Sequence, residues 1–353
     1  MKTAIRLVIL VLVLIGFAIG ALVLKSQLFD QKYAGFQKPV FVEIAKGTGT
    51  LKIGEQLASE GVIRNSWQFL AMRLVHFGRA PQAGDYQFKT AASPADVFDR
   101  IARGDVFYHE LRVPEGSNIW DIAAQVEDLK IVRSVDFLVA ARNPSLIRDL
   151  VPTANSLEGY LFPATYKFKR RVTATEICHA MTNHFRRVWK DLGSVKNIRE
   201  VVTLASMVEK EAKLSDERAL IAGVYANRLS KGMRMDCDPT VIYAALLEDR
   251  YRGTIYQSDL DSDNPYNTYK RTGLPPGPIA NPGLQSLQAA LRPAETPNLF
   301  FVAKTDGSGG HVFSSSMKAH NEAVAAYRKG TEGETKEKSN PGIPAGKRAG
   351  SRR

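Results

Sequence analysis

Two glutamates, Glu209 and Glu211, stand close together in a mainly apolar segment between Val201 and Ala212. Projected at roughly 100° per residue, this run forms a helix with an apolar face, and the two glutamates lie at opposite edges of that face. Partial burial raises the pKa of a carboxyl group, and a general acid that works near neutral pH requires a raised pKa. The pattern therefore indicates an acid–base site on this helix.

The same pattern allows a purely structural role, in which both carboxylates pair with Lys or Arg at the rim of a packed helix. The helical projection alone does not choose between the two acids. Glu209 lies beside the small Ala205, which leaves room for a bulky ligand. Glu211 lies between Leu204 and Met207, where we expect it to be buried in an ion pair. Glu211 stays a secondary candidate for the acid.

Two loops carry aromatic and polar residues of the kind that bind sugars. Residues 157–166 contain Glu158 and Tyr160, and residues 265–279 contain Tyr266, Asn267 and Tyr269 among several prolines. Aromatic faces with amide and hydroxyl groups suit pyranose rings, which have apolar faces edged by hydroxyls. A rigid Pro/Gly turn without ligand contacts is the alternative interpretation.

Other chemistries find little support in the sequence. No Ser/His/Asp order, phosphate-binding glycine loop or His/Glu metal spacing is present, so we predict no metal and no cofactor. Cys178 and Cys237 lack CxxC spacing, which argues against a zinc site and a disulfide framework but leaves open whether they pair. The net charge of +12 favours anionic partners or simply a soluble basic surface. No nucleic-acid motif accompanies that charge, so we predict no nucleic-acid partner.

The N-terminus predicts a membrane anchor. Residues 7–24 form an uncharged apolar run, close to the roughly 17–25 residues that a spanning helix needs. A cleaved signal peptide is the alternative, but its apolar core is usually shorter and no clear A-x-A site follows. Basic residues flank the run on both sides, and the short N-terminal tail weakly favours a cytoplasmic N-terminus. The remaining chain would then lie outside the cytoplasm.

The region after the anchor contains a duplicated pattern. A strand, a glycine turn and two amphipathic helices begin at Val42 and return about 69 residues later, so that Gly47 aligns with Gly116 and Ile53 with Ile122. Chance similarity of two amphipathic segments is the alternative. Between the copies, a strand near residue 84 and a helix starting at Ser93 are predicted.

From residue 153 the pattern becomes mainly helical. Asn197 and Glu200 form a capping box that opens the helix of Glu209, and Asp238-Pro239 opens a later helix. Residues 298–303 and 311–314 read as two strands of a hairpin around a glycine-rich turn. The predicted fold class is α+β.

Several motifs, in the same order along the chain, resemble the endolytic murein transglycosylase (YceG-like) family. They comprise residues 157–166, 205–211, 227–229, 238–243, 266–269, 273–283, 310–313 and 320–321. The resemblance extends from the anchor to about Lys329. Ala164 departs from the pattern, because the family usually carries Asp there, and a catalytic role for this position is therefore untenable. The family's catalytic glutamate corresponds to Glu209.

The resemblance implies non-hydrolytic cleavage between N-acetylmuramic acid and N-acetylglucosamine in nascent glycan strands. Glu209 would serve as acid and then as base, and Glu158, Tyr160, Asp238, Tyr266, Asn267 and Tyr269 are the candidate substrate-binding residues. Two alternatives remain. One is a peptidoglycan hydrolase that pairs Glu209 with Glu158 or Asp238, and the other is a non-catalytic glycan-binding scaffold.

The resemblance also implies a single-pass inner-membrane protein with LysM-like modules and an extracytoplasmic catalytic domain. Its expected partners are glycan strands, the inner membrane and, as a further candidate, peptidoglycan synthases. The predicted organisation is a cytoplasmic tip and anchor (1–25), a juxtamembrane linker (26–39), a duplicated LysM-like region (40–152), a catalytic domain (153–329) and a disordered tail (330–353).

Overall fold

The computed structural model describes residues 2–193 and 197–338, and within them the chain mixes helices with a few short strands, as predicted. The helices are α1 Lys2–Lys25, α2 Thr50–Ser59, α3 Ser66–Val75, α4 Pro94–Arg103, α5 Ile119–Asp128, α6 Ser134–Arg142, α7 Ala174–Leu192, α8 Ile198–Glu211, α9 Arg218–Ser230, α10 Asp238–Leu247, α11 Gln257–Leu260, α12 Leu284–Leu291 and α13 Met317–Lys338. The strands are β1 Val40–Ile44, β2 Gly84–Phe88, β3 His109–Arg112, β4 Thr165–Phe168, β5 Phe300–Ala303 and β6 His311–Ser314.

The N-terminal helix α1 has the length and composition of a membrane span. The apolar segment Ile9–Asp30 covers 22 residues, and none of its most apolar stretch is buried within the protein. Among the described residues it is the one helix long and apolar enough to cross a membrane. A π-helical turn, Ser26–Asp30, follows at the start of the predicted linker.

The chain forms two compact units. The first contains the described residues up to His109 together with Lys167–Arg171, and the second contains Glu110–Tyr166 and the described residues from Val172 onward. In the first unit, β1 and β2 pair antiparallel with Val42 opposite Tyr86. Their inner faces pack on fully buried side chains of α2, α3 and α4, including Leu57, Phe69 and Phe98. Burial of these apolar side chains is the main stabilisation of the unit.

The duplication predicted from the sequence is present in the arrangement of elements. Helices α2 and α5 begin and end 69 residues apart, and each copy follows the order strand, helix, helix, strand. Strand β1 pairs with β2 and β3 pairs with β4. The turns before α2 and α5 hold Gly47 and Gly116 at φ of 86° and 76°, a left-handed conformation that favours glycine. The predicted region 40–152 therefore lies partly in each unit, since the second copy belongs to the second one.

Helix α8 is the centre of the second unit. Its N-cap is Asn197, whose side chain accepts a hydrogen bond from the Arg199 N–H at 3.1 Å. This cap differs from the predicted capping box, in which Asn197 would accept from the Glu200 N–H. Val202, Ala205 and Val208 are fully buried. Helix α7 begins at a capping box, Thr173 with Glu176, which was not predicted from the sequence.

The C-terminal part of the second unit contains the predicted hairpin and a longer last helix than expected. Strands β5 and β6 pair antiparallel, with Phe300 opposite Ser314. The helical backbone of α13 continues to Lys338, past the predicted start of the disordered tail at residue 330. The rest of that predicted tail, 339–353, lies outside the described residues.

Candidate active site

Glu209 lies near the C-terminal end of α8 and is held by contacts to two other helices. Its Oε2 accepts a hydrogen bond from the backbone N–H of Gly283 at 2.9 Å, where the chain enters α12. Its Oε1 lies 3.4 Å from Nη2 of Arg218, the first residue of α9. The Glu209 side chain is 5% exposed. The partial desolvation predicted from the helix face is confirmed, and the carboxyl group is fixed in a single position.

Arg218 is a functional neighbour that the sequence analysis missed. Its side chain is 11% exposed, and Nε donates a hydrogen bond to the Ser286 hydroxyl at 3.2 Å. A buried ion pair of this kind is costly to break, because either partner alone would leave an uncompensated charge. The same arginine lines an open groove of about 920 Å³ between the start of α9 and α12, with Gln285, Gln288 and Arg292.

A turn from the second strand–helix–helix copy lies over Glu209. A Cβ on Gly116 would lie 3.5 Å from Cγ of Glu209. The Gly116 N–H donates to the Asn281 carbonyl at 2.9 Å, and Lys210 Nζ donates to the Gly116 carbonyl at 3.3 Å. The turn is therefore hydrogen-bonded both to α8 and to the chain segment that leads to Gly283.

Glu158 is buried behind this turn and does not face solvent. It is 2% exposed, and it accepts hydrogen bonds from the Ile119 N–H at 3.0 Å and the Asn281 side-chain amide at 3.0 Å. Burial raises the pKa of Glu158 to about 8, against the opposing effect of hydrogen bonds from Ile119 and Tyr243. The role of Glu158 in substrate binding stays a prediction, and its internal hydrogen bonds favour an orienting role over direct contact.

Two more predicted sugar contacts are also internal. Asn267 is completely buried, and its amide donates to the carbonyls of Leu260 at 2.9 Å and Ser262 at 2.7 Å, which shapes the loop itself. Tyr160 is 1% exposed and lines a small cavity with Tyr266. Direct sugar contact by Asn267 and Tyr160 stays a prediction that their burial does not favour, while Tyr266 is only partly buried.

Asp238 and Tyr269 form a cluster close to Glu211. Asp238 is exposed, and its Oδ1 accepts a hydrogen bond from the Tyr269 hydroxyl at 2.7 Å. The Cys237 thiol donates to Glu211 Oε1 at 3.4 Å. Cys178 and Cys237 are both buried free thiols, so the pairing left open by the sequence does not occur.

The expectation that Glu211 sits in an ion pair is wrong. Within the described chain no basic side chain lies within salt-bridge distance of it, and the buried arginine pairs with Glu209 instead. Burial raises the pKa of Glu211, and the neighbouring charge of Asp238 acts in the same direction. The helix projection could not reveal this, because the partner of each acid is supplied by a different element.

A second acid, Glu115, stands next to Glu209 and was not singled out from the sequence. It belongs to the turn over Glu209 and is exposed. Partial desolvation of its carboxyl group and then the charge of Glu209 raise the pKa of Glu115, and Arg218 opposes this shift. One signal was available: Glu115 precedes Gly116 at the position that Lys46 occupies before Gly47 in the first copy.

A carboxyl group fixed by a guanidinium and a backbone N–H, with a second carboxyl group nearby, is an arrangement typical of enzymes that use general acid–base catalysis. A family model described as the YceG-like family matches residues 42–326. The chain belongs to this family.

Individual relatives agree with that assignment. A Bacillus subtilis protein named endolytic murein transglycosylase is 33% identical over 329 residues, which cover 87% of this chain and 90% of the relative. A Streptococcus pneumoniae protein of the same name is 30% identical, over 83% of this chain and 59% of the relative's own length. The crystal structure of a YceG-like protein from Listeria monocytogenes matches with a TM-score of 0.53 and 30% identity, over 81% of this chain and 99% of that one.

Proposed function

We propose that this protein is a lyase, a peptidoglycan lytic transglycosylase that cleaves within nascent glycan strands and so terminates their elongation. The bond cleaved joins N-acetylmuramic acid to N-acetylglucosamine, and the product carries a 1,6-anhydro end. The names of the relatives support the substrate and the reaction class. The single structural observation that carries the proposal is Glu209, a carboxyl group held between Arg218 and the Gly283 N–H.

In this mechanism Glu209 first gives a proton to the glycosidic oxygen as the bond from that oxygen to the anomeric carbon breaks. The resulting carboxylate then takes the proton of the muramoyl 6-hydroxyl, whose oxygen bonds to the anomeric carbon. Because the nucleophile belongs to the substrate, no water is consumed and its attack is intramolecular. The groove beside Arg218 has the volume of a typical ligand site and would hold the neighbouring sugars.

Asp238, Tyr266 and Tyr269 remain the proposed sugar contacts, since their side chains are at least partly exposed. Glu158, Tyr160 and Asn267 are proposed to act indirectly, because they fix the loops that carry those contacts. Glu158 in particular links α5 to Asn281 and hence to the segment that positions Glu209.

A hydrolase acting on the same polymer is the second candidate, and Glu115 is the observation that favours it. Hydrolases commonly use two carboxyl groups, one as acid and one to activate water or to form a glycosyl-enzyme. Digestion of purified glycan strands distinguishes the two functions: a transglycosylase leaves 1,6-anhydro ends, which mass spectrometry of the fragments identifies. New reducing ends in their place would support the hydrolase, and an absence of cleavage would leave only a scaffold.

We further propose that α1 anchors the protein in the inner membrane with the N-terminus inside, and that each strand–helix–helix–strand copy is a LysM-like module that contacts glycan. The apolar 22-residue segment supports the anchor. A reporter that is active only outside the cytoplasm, fused after Lys329, should be active. Activity of a cytoplasmic reporter at the same position, or a mature N-terminus near Lys25, would contradict the topology. Peptidoglycan synthases remain candidate partners.

A further inference from the structure

Glu115 and Glu209 lie on either side of Gly283. A Cβ on Gly283 would lie 2.0 Å from Oε1 and 2.1 Å from Cδ of Glu115, far inside any real contact distance. The φ of Gly283 is −78°, which every residue adopts, so the backbone does not require glycine here and an added Cβ would displace the Glu115 carboxyl group. The Glu115 carboxyl group therefore lies directly on the backbone of Gly283.

The same glycine holds Glu209 through its N–H, at 2.9 Å from Oε2. The two carboxyl groups thus flank one residue, with Glu209 buried and Glu115 on the exposed turn. Two acids this close resist simultaneous ionisation, because the charge on one makes the charge on the other unfavourable. The raised pKa of Glu115, to which the charge of Glu209 contributes, agrees with this geometry.

The charged groups that face the pair come from two helices. Helix α9 supplies Arg218, whose guanidinium lies 3.4 Å from Glu209 Oε1. Helix α8 supplies Lys210, whose exposed side chain donates to the Gly116 carbonyl and is screened by solvent. Helix α12 contributes the Gly283 N–H and no charge at this point. One buried cation therefore faces two acids, so the balance of charge favours a single negative charge on the pair.

We propose that Glu115 and Glu209 form a carboxyl pair that holds one shared proton in the working enzyme. The inference rests on the proposed function. The pair gives its proton to the glycosidic oxygen as the glycosidic bond breaks, and it takes back the proton of the 6-hydroxyl as that oxygen bonds to the anomeric carbon. The pair ends with one proton, as it began, so no separate reset step is needed. Glu115 acts here as a positioning residue for the proton of Glu209.

The duplication is consistent with this assignment. In the first copy the equivalent turn carries Lys46 before Gly47, and a Cβ on Gly47 would meet no atom within 4 Å. In the second copy the turn carries Glu115 and lies against Glu209. The acid is therefore found in the copy that reaches the candidate active site and is absent from the copy that does not.

The test is the pH dependence of glycan cleavage by Glu115→Gln in the full-length protein. Removal of the neighbouring negative charge should let Glu209 lose its proton more easily, so the alkaline limb of the rate profile should move to lower pH by about one unit. At a fixed pH on the alkaline side of the profile, the variant would then cleave glycan about tenfold more slowly than the wild type. At acid pH its rate should approach the wild-type rate. Glu115→Asp keeps the charge and should shift the limb less.

Glu110→Gln is the matched control, since Glu110 is an exposed acid on β3 in the same segment and the substitution makes the same charge change. Its profile should coincide with that of the wild type. If the alkaline limb of the pH–rate profile of Glu115→Gln coincides with that of the wild type, the proposed shared proton is refuted. A loss of rate that is equal at all pH values would refute it as well. Product analysis distinguishes failure of the carboxyl-pair proposal from failure of the proposed function. Anhydro ends together with an unchanged alkaline limb refute the carboxyl pair alone. Reducing ends from the wild type refute the proposed function.

Discussion

The two glutamates of α8 stand two residues apart, yet their carboxyl groups have different charged and hydrogen-bonding partners. Glu209 is held by an arginine and a backbone N–H, with a second acid beside it. Glu211 accepts a hydrogen bond from the Cys237 thiol, and in the described part of the chain no Lys or Arg lies at salt-bridge distance from it. The difference shows that the position of an acid on a helix does not define its role. The elements that approach each side define it.

This contrast is physically informative because the two carboxyl groups have different hydrogen-bond donors. Hydrogen bonds from N–H donors and a guanidinium stabilise a carboxylate, whereas burial without a cation favours the neutral acid. Glu209 therefore has the contacts of a group that must carry charge at one stage of a reaction. Glu211 has those of a buried structural acid.

The largest expected effect comes from Glu209→Gln, which removes the acid and base with little change in shape. Loss of a general acid–base group typically costs roughly 10²–10⁴-fold in rate, and more when one group serves both steps. The variant should also be less stable by about 1–3 kcal/mol, because the nearly buried Arg218 loses its charged partner. Cleavage of purified glycan strands and thermal melts measure the two effects.

Glu211→Gln is the natural control, since it makes the same change two residues along the helix. It should keep most of the cleavage activity. Because the pKa of Glu211 is raised in the folded state, its contribution to stability is complete at acid pH and falls as the pH rises through that pKa. The variant should therefore gain stability relative to the wild type as the pH rises. A folded but inactive Glu211→Gln together with an active Glu209→Gln would reverse our assignment.

A smaller effect on activity, together with a change in stability, is expected at the buried acid Glu158. Its pKa is raised from 4.5 to about 8, so its contribution to stability is complete below pH 4.5 and is lost as the pH rises through about 8. Glu158→Gln removes this titration. The stability difference between wild type and variant should thus change in favour of the variant, on the order of a few kcal/mol, between pH 5 and pH 9.

Thermal melts at a series of pH values measure this difference, with Glu110→Gln as a control at an exposed acid. A difference that stays constant over the whole range would show that Glu158 does not change its protonation in the folded protein. In that case its hydrogen bonds to Ile119 and Asn281 would outweigh the effect of burial.

Local signals in the sequence were sufficient to predict many of the helices and the hairpin. The cap at Asn197, the proline after Asp238 and the glycine-rich turn before β6 each act within a few residues, so the helices and hairpin could be predicted. The 69-residue repeat likewise depends on local periodicity. Helix α7 was missed although its Thr173 and Glu176 capping box is equally local.

The site was less predictable because its contacts join residues distant in the chain. Glu209 meets Gly283 and Glu115 only through the tertiary fold, and no spacing rule links them. Polar residues in aromatic loops also have two uses that a sequence does not separate. Asn267 organises its own loop, whereas Tyr269 reaches the exposed Asp238.

Digestion of glycan strands in water enriched in heavy oxygen separates the intramolecular reaction from hydrolysis. If the muramoyl 6-hydroxyl is the nucleophile, the new ends are 1,6-anhydro sugars and carry no label from the solvent. If Glu115 or another acid activates water, each cleavage places one heavy oxygen on the anomeric carbon. Unlabelled anhydro ends from the wild type, and none from Glu209→Gln, are the result we predict, and labelled reducing ends would contradict it.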